Sequence, residues 1–156
     1  MSGEYSCNSL TGHYWLKGDN HIWYTYYMYA RKTRHSKYNL NYHFVWIPKY
    51  RRKILVNTVK QDLETLLNQC AAKNDLEILS LSIQPNHVHL FVSAPPRYSP
   101  SKLINLFKGF TARELRKSHQ YLAQRKSLWT RSYYVGTAGT VSSETIEHYI
   151  LECQDE

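Results

Sequence analysis

The chain has 156 residues, a formal net charge of +8 at pH 7 and a hydrophobic fraction of 42%. This length suits a single domain, and the apolar fraction is sufficient for a hydrophobic core, which argues against a disordered chain. No run of about 18 apolar residues is present, so we expect no membrane-spanning helix and a cytoplasmic protein. The three cysteines are scattered and form no CxxC pair, which argues against a disulfide scaffold and against a zinc finger.

The positive charge is concentrated in two blocks. The first basic block, residues 31–53, contains eight Lys and Arg residues and no acid, and the second basic block, residues 97–131, contains nine against the single acid Glu114. Aromatic residues such as Tyr50 and Trp129 are interspersed in both blocks. Cations bind phosphates and exposed rings stack on unpaired bases, so the pattern predicts a protein that binds single-stranded nucleic acid. A solvated basic face on an ordinary enzyme explains the charge equally well.

The first predicted element of the main domain is a strand. Residues 1–30 are rich in His, Trp and Tyr without a regular period, and we interpret them as an N-terminal extension that is a strand or hairpin, followed by one domain over residues 31–156. Tyr38–Ile47 has the composition of a strand that ends at Pro48. One face of this strand carries Leu40, Tyr42, Phe44 and Trp46.

A helix and a hairpin follow in the sequence. Thr58 is the predicted N-cap of a helix that runs to about Asn74, with apolar residues at helical spacing. Leu76–Ile83 and His87–Ser93 have strand composition, and the Pro85-Asn86 pair between them predicts a turn. The two segments are therefore expected to form a β-hairpin.

The remaining elements complete a recognisable order. Ser99 and Pro100 predict the N-cap and first position of a second helix that runs to about Ser118. Tyr133–Thr137 is a fourth predicted strand, and Ser142-Ser143 begins a last helix that ends near Cys153. The order β-α-β-β-α-β-α predicts an α+β fold of ferredoxin-like, RRM-like type: an antiparallel sheet with helices on one face, plus a C-terminal helix.

The third predicted strand carries a His-Val-His sequence. In a strand, residues two apart point to the same side, so His87 and His89 share a face while Val88 points to the opposite one. Two imidazoles about 6–7 Å apart along a strand are able to converge on one divalent cation. The alternative is that both are polar residues on a solvated sheet face.

Four sequence blocks resemble one known family. They occur in the order KYNLNYHFVWIPKYRRKIL, QPNHVHLFV, PPRYSPSKLINLFKGFTARELRK and LWTRSYYVGTAGTVSSETIEHYI. Together they resemble the single-tyrosine transposases of the His-hydrophobic-His (HUH) superfamily, which are encoded by the smallest bacterial and archaeal insertion sequences. The resemblance extends from about Thr33 to the C-terminus.

The resemblance implies a function and a set of site residues. His87 and His89 would be ligands of Mg²⁺ or Mn²⁺, and Tyr149 would be the nucleophile that forms a 5′-phosphotyrosine on single-stranded DNA with hairpin ends. The family acts as a homodimer whose active sites are shared between protomers, which implies the same here. A helix behind the Gly136–Gly139 linker is able to swing as a unit, which is compatible with this role.

The third metal ligand departs from the family pattern. The family places a Gln four residues after the tyrosine, but this chain has Cys153 there and Gln154 one position later. Because one residue rotates a helix by about 100°, three interpretations stay open. In the first, Gln154 reaches the metal through a distorted helix end. In the second, Cys153 or water is the third ligand. In the third, this protein is catalytically impaired. A thiolate would favour softer metals than magnesium.

The basic blocks supply the candidate DNA-binding residues, which are Lys49, Arg51, Arg52, Lys53, Arg97, Lys102, Lys108 and Arg113. The leading hypothesis is a transposase that nicks and rejoins single-stranded DNA. The alternative is a catalytically decayed, single-strand-binding module of the same fold, which the position of Cys153 favours. A metal hydrolase of small substrates is disfavoured because no paired carboxylates lie near the two histidines.

Overall fold

The computed structural model describes residues 31–137, together with two short strands, β1 (Ser6–Asn8) and β2 (His13–Trp15). These two strands pair antiparallel, with Cys7 opposite Tyr14. They fall within the predicted N-terminal extension. The division of the chain at residue 30 stays a prediction, as does the last helix, which lies outside the described residues.

The main body follows the predicted order of elements. Its strands are β3 (Arg31–Lys32), β4 (Lys37–Tyr38), β5 (Asn41–Trp46), β6 (Glu77–Gln84), β7 (His87–Ser93) and β8 (Tyr134–Gly136). Its helices are α1 (Asn57–Lys73), α2 (Pro100–Ser118) and the short α3 (Gln120–Ala123), and a 3-10 turn covers Lys49–Arg51.

Four strands form one antiparallel sheet in the order β6-β7-β5-β8. β5 and β6 each pair with β7, so the connection through α1 crosses over β7 and the two strands it joins are parallel to each other. This split β-α-β arrangement is the ferredoxin-like pattern. The predicted α+β fold with an antiparallel sheet is therefore confirmed.

The core lies between one face of the sheet and the two long helices. Strand residues at every second position, including Phe44, Trp46 and Leu90, are fully buried against residues such as Leu63 of α1 and Phe107 of α2. Alternation along each strand sends these side chains to one side, and apolar burial stabilises that side of the sheet. The opposite face is left for other side chains, among them both histidines of the His-Val-His sequence.

One of the two predicted helix caps was wrong for a local reason. The helix α1 begins one residue earlier than Thr58, with Val56 at the N-cap position and no side-chain cap. Asn57 has a φ of 50°, and the carbonyl of Val56 accepts hydrogen bonds from the amides of Val59 and Lys60, so Thr58 already lies inside the helix. By contrast, the Ser99 cap is confirmed, because its Oγ accepts from the Lys102 amide at 3.3 Å and Pro100 follows it.

The first predicted strand divides into two. Tyr38 pairs with Arg31 in the separate β3–β4 ribbon, and the strand of the main sheet begins at Asn41. Neither β3 nor α3 was predicted from the sequence, since both are short and carry no clear periodicity. No helix in the described part of the chain is long and apolar enough to cross a membrane.

Candidate active site

The His-Val-His sequence lies on β7 as the alternation predicts. Val88, Leu90 and Val92 are buried in the core, whereas His87, His89 and Phe91 are half-buried on the other face. β7 is a central strand, paired with β5 on one side and β6 on the other. The backbone under both imidazoles is therefore held by hydrogen bonds on both sides, which keeps the rings on one rigid surface.

His87 is held by its neighbour in the turn. Its Nδ1 donates a hydrogen bond to Oδ1 of Asn86 at 3.0 Å, which leaves the Nε2 lone pair free for a ligand. Burial lowers the pKa of His87, and repulsion of its protonated form by a protonated His89 and by the Arg51 guanidinium lowers it further. The imidazole is thus kept neutral, which is the form that binds a metal.

His89 contacts a third histidine from the neighbouring strand. Nδ1 of His43 lies 3.3 Å from Nε2 of His89, a hydrogen bond between the two rings. His43 itself is buried and stacks on Phe91 with 3.9 Å between ring centroids. Burial lowers the pKa of His89, and the charge of His43 lowers it further. Three imidazoles, those of His43, His87 and His89, therefore lie on one face of the sheet, which we call the histidine face.

This face supplies two of the ligands that a divalent cation needs. His87 and His89 are neutral, half-buried nitrogen donors, each oriented by a second side chain, as is usual for metal-binding histidines. Within residues 31–137, no group of three or more His, Cys, Asp or Glu side chains is placed to hold a metal ion together. A complete site therefore needs a ligand from outside this range or from solvent.

The first basic block places cations beside the histidines. Arg51 is close enough to His87 to influence its pKa, and Lys49 and Arg52 line a cavity on the same turn. Lys53 is exposed immediately after them. The structure thus brings these four predicted DNA-binding residues to one region next to the His-Val-His strand.

The predicted residues of the second basic block have local partners. Arg97 donates to the Asn74 carbonyl at 3.2 Å and lies, like Lys102, over the ring of Tyr98. Lys108 donates to two backbone carbonyls at the start of the segment before β8. Arg113 pairs with Glu114 at 2.8 Å. They do not line the cavity that holds Lys49 and Arg52.

Glu114, the single acid of that block, also pairs with Lys117 at 3.0 Å. Hydrogen bonds from Lys117 and Arg113 lower the pKa of Glu114. It therefore offsets part of the positive charge along this exposed side of α2. The DNA-binding role of Arg113 stays a prediction.

The remaining predicted site residues, Tyr149, Cys153 and Gln154, lie outside the described residues. Their positions relative to the histidines stay predictions. The linker glycine Gly136 is described as the last residue of β8, where it lies opposite His43 of β5. Tyr149 thus follows, in the sequence, the strand that pairs with β5 beside His43.

Comparison with known proteins decides the family. A family model described as an IS200-like transposase matches residues 36–153. The chain belongs to the IS200-like transposase family. The family predicted from the sequence motifs is therefore confirmed, and the chain is placed among enzymes that cleave DNA and transfer strands.

Individual relatives of this transposase support the assignment. The ISDra2 transposase TnpA of Deinococcus radiodurans is 33% identical over 128 residues, which cover 80% of this chain and 91% of the relative. The transposase of insertion sequence element IS200 from Salmonella typhimurium is 27% identical over 123 residues, covering 77% and 80%. A crystal structure of a Deinococcus radiodurans R1 protein described as a transposase superimposes with a TM-score of 0.70 at 34% identity, covering 79% of this chain and 97% of that one.

Two residues of the site were missed by sequence reasoning. Asn86 was interpreted only as part of a turn, although it orients His87. His43 was not selected at all, although its position between Tyr42 and Phe44 on a predicted strand puts it on the face opposite the core. That alternation was the available signal. Its contact with His89 depends on strand pairing, which the sequence does not display.

Proposed function

We propose that this transposase nicks and rejoins single-stranded DNA at the hairpin-bearing ends of its insertion sequence through a tyrosine–DNA intermediate. The observation that carries the proposal is the pair of neutral, oriented imidazoles of His87 and His89 beside the cations of the first basic block. Family membership supports DNA as the substrate. Imidazole donors together with phosphate-binding cations suit a scissile phosphate bound at this face.

His87 and His89 would hold a divalent ion, Mg²⁺ or Mn²⁺, with a third ligand from Gln154, Cys153 or water. A bound ion of this kind polarises a phosphate and stabilises the charge that develops on it. Arg51 is positioned to add positive charge next to His87. Asn86 and His43 act through the two histidines, because they fix the ring orientations.

Tyr149 supplies the nucleophile in this proposal. Its phenol oxygen attacks the phosphorus, the bond from phosphorus to the 3′ oxygen breaks, and the phenol proton is released while the 3′ oxygen takes up a proton. The products are a 5′-phosphotyrosine and a free 3′-OH. Because the phosphoester is exchanged and not hydrolysed, a 3′-OH is able to reverse the step and join a new strand. The unperturbed pKa of a tyrosine is about 10, so the reaction depends on activation at the phosphate.

Adduct formation tests the proposal. Single-stranded DNA from one end of the element, mixed with protein and Mn²⁺ or Mg²⁺, should give a covalent complex that survives denaturing electrophoresis. Tyr149→Phe should abolish the complex and retain DNA binding. Tyr133→Phe is the matched control, because Tyr133 packs against the core, and this substitution should leave the adduct unchanged. An adduct that persists in Tyr149→Phe would contradict the proposal.

The proposed homodimer with shared active sites has its own test. A His89→Ala protein and a Tyr149→Phe protein should each be inactive alone. Mixed in equal amounts, they should recover adduct formation, because one of the two sites in a mixed dimer combines an intact His pair with an intact tyrosine. Activity that does not recover on mixing would indicate that each site is built within one protomer.

A second candidate is a decayed binding module, which the sequence at residues 153 and 154 favours. Calorimetric titration with Mn²⁺ separates the two candidates, since the decayed module should bind no divalent ion at the histidine face. Cys153→Gln restores the family pattern and should raise both metal affinity and adduct yield if the copy is impaired. Equal losses from Cys153→Ala and Gln154→Ala would argue against a single third ligand from this helix.

A further inference from the structure

A basic cavity of about 840 Å³ lies at the turn that follows β5. It is formed where the 3-10 turn Lys49–Arg51 meets the segment 124–131, two parts of the chain joined by a bridge between Pro48 and Trp129. Five cations line it, and no acid does so among the described residues: Lys49, Arg52, Arg125, Lys126 and Arg131. Ligand pockets commonly enclose about 300–1,000 Å³, so the cavity is large enough for one nucleotide.

The aromatic wall of the cavity is a strained residue. Tyr50 has φ 59° and ψ 29°, the left-handed conformation, and Arg51 follows with φ 49°. Bulky residues rarely adopt this conformation, and such strain is concentrated at ligand sites and active sites. Tyr50 is 56% exposed as a whole residue, so the fold does not gain core packing in return.

The turn is nevertheless held firmly. The Lys49 amide donates to the Leu128 carbonyl at 2.9 Å, and the Arg51 amide donates to the Pro48 carbonyl at 2.9 Å. On the opposite wall, Trp129 is buried, and its Nε1 donates to Thr111 Oγ1 of α2 at 3.2 Å. Both walls of the cavity are therefore anchored to the core, and the tyrosine ring is presented on a preformed surface.

Cations surround the exposed ring. Nζ of Lys49 lies 5.3 Å from the ring centroid of Tyr50, and Cζ of Arg52 lies 5.1 Å from it. Nε of Arg51 and Nε of Arg125 are shielded from solvent and donate to no acceptor in the described part of the chain. No carboxylate among residues 31–137 neutralises the positive charge here, which favours a bound anion.

We propose that this cavity binds one unpaired nucleotide of the DNA strand next to the scissile phosphate. The base stacks on Tyr50, and the phosphates on either side of it contact the five cations. An aromatic ring among cations is how proteins hold unpaired strands, and a base inside a duplex has no free face to offer the ring. Trp46 at the end of β5 pairs with Val88, so the turn that follows β5 lies at the end of the sheet where His87 begins β7, which places the nucleotide close to the phosphate that the histidines face. The inference rests on the proposed function.

The test measures binding in the Tyr149→Phe protein, so that cleavage does not interfere. The probe is a fluorescent single-stranded oligonucleotide from the element end, together with copies in which single bases near the nicking site are replaced by abasic sites. Tyr50→Ala should weaken binding about tenfold. In the Tyr149→Phe protein, which retains Tyr50, one abasic position should weaken binding by a similar factor. When Tyr50→Ala is added, the same abasic position should have little further effect.

Three control variants make the result specific. Tyr121→Ala removes another tyrosine of similar exposure that does not line the cavity, and should leave affinity unchanged. Tyr50→Trp should retain binding, because it keeps an aromatic face. Tyr50→Gly relieves the left-handed strain, so its melting temperature should stay equal or rise while its DNA affinity falls.

The cations have a separate readout. Lys126→Gln should reduce the magnitude of the slope of log K against log salt by about 0.7, because one phosphate contact to a single strand is lost. Lys60→Gln, in α1 and away from the cavity, should leave the slope unchanged.

Different failures overturn different statements. A parent protein that does not bind the oligonucleotide would overturn the proposed function. Strong parental binding that is equally sensitive to Tyr50→Ala and Tyr121→Ala, or no coupling between Tyr50 and any base, would overturn the nucleotide cavity alone. A lowered melting temperature together with unchanged DNA affinity in Tyr50→Gly would show that Tyr50 supports the fold and does not bind the strand.

Discussion

The two faces of the central sheet use the same strands for different purposes. On the helix-covered face, Phe44, Trp46 and Leu90 are fully buried in the core. On the other face, His43 and His89 form a hydrogen-bonded pair one position away along the same strands. Because side chains alternate along a strand, folding and chemistry are assigned to neighbouring residues and not to separate regions. Substitutions on the two faces should therefore have separable effects.

The largest expected effect is on the core face. Leu90→Ala should lower the free energy of unfolding by about 2–5 kcal/mol, because a fully buried side chain is replaced by a cavity. Urea denaturation followed by circular dichroism measures it. Leu79→Ala, on an exposed position of β6, is the control and should change stability by less than about 0.5 kcal/mol. Equal losses of unfolding free energy in Leu90→Ala and Leu79→Ala would contradict the assignment of Leu90 to the core and of Leu79 to the exposed face.

On the histidine face, His89→Ala should remove the stability gained from bound metal and leave the fold intact. At a Mn²⁺ concentration of about 100 times Kd, the parent should gain about 2.7 kcal/mol of stability by linkage, and His89→Ala should gain almost none. Melting curves with and without Mn²⁺ measure this difference. Ser82→Ala, directly opposite His89 on β6, should keep the parental gain. A gain that persists in His89→Ala would exclude His89 as a ligand.

The contribution of His43 should be smaller and limited to affinity. His43→Phe keeps a ring that stacks on Phe91 but removes the nitrogen that contacts His89. Loss of such an orienting partner typically costs about 10–100-fold in metal affinity, which calorimetry with Mn²⁺ measures. His35→Phe, an exposed histidine in the first basic block, should have no effect. Complete loss of metal binding would instead identify His43 as a ligand.

The smallest expected effect is a pH dependence on the core side. Burial raises the pKa of Cys70 to about 11 from its ordinary value of 9.0, against a small opposing influence of Lys73. The thiol is harder to ionise in the folded state, so its contribution is complete below pH 9.0 and is lost as the pH rises towards about 11. The parent should therefore lose more stability than Cys70→Ala over this interval, by an amount on the order of 1–2 kcal/mol. Identical pH profiles would show that the burial has no such consequence.

Much of this fold was predictable because its signals are local. The His87–Ser93 strand, the turn before it and the Ser99–Pro100 helix start each depend on residues that are neighbours in the sequence, and all three are confirmed. The Thr58 cap was wrong because a cap also depends on backbone conformation, and the left-handed Asn57 shifted the helix start. The β3–β4 ribbon was missed because strands of two residues carry no periodicity.

The sequence by itself determined the family and the shared face of His87 and His89, since motif order and a period of two are properties of the linear chain. Only the tertiary structure decided what surrounds them. His43 reaches His89 across 46 residues through the pairing of β5 with β7. The basic cavity likewise exists only because the bridge from Pro48 to Trp129 brings the two basic blocks together. Contacts of this kind depend on which strands become neighbours, and that is settled by the packing of the whole core.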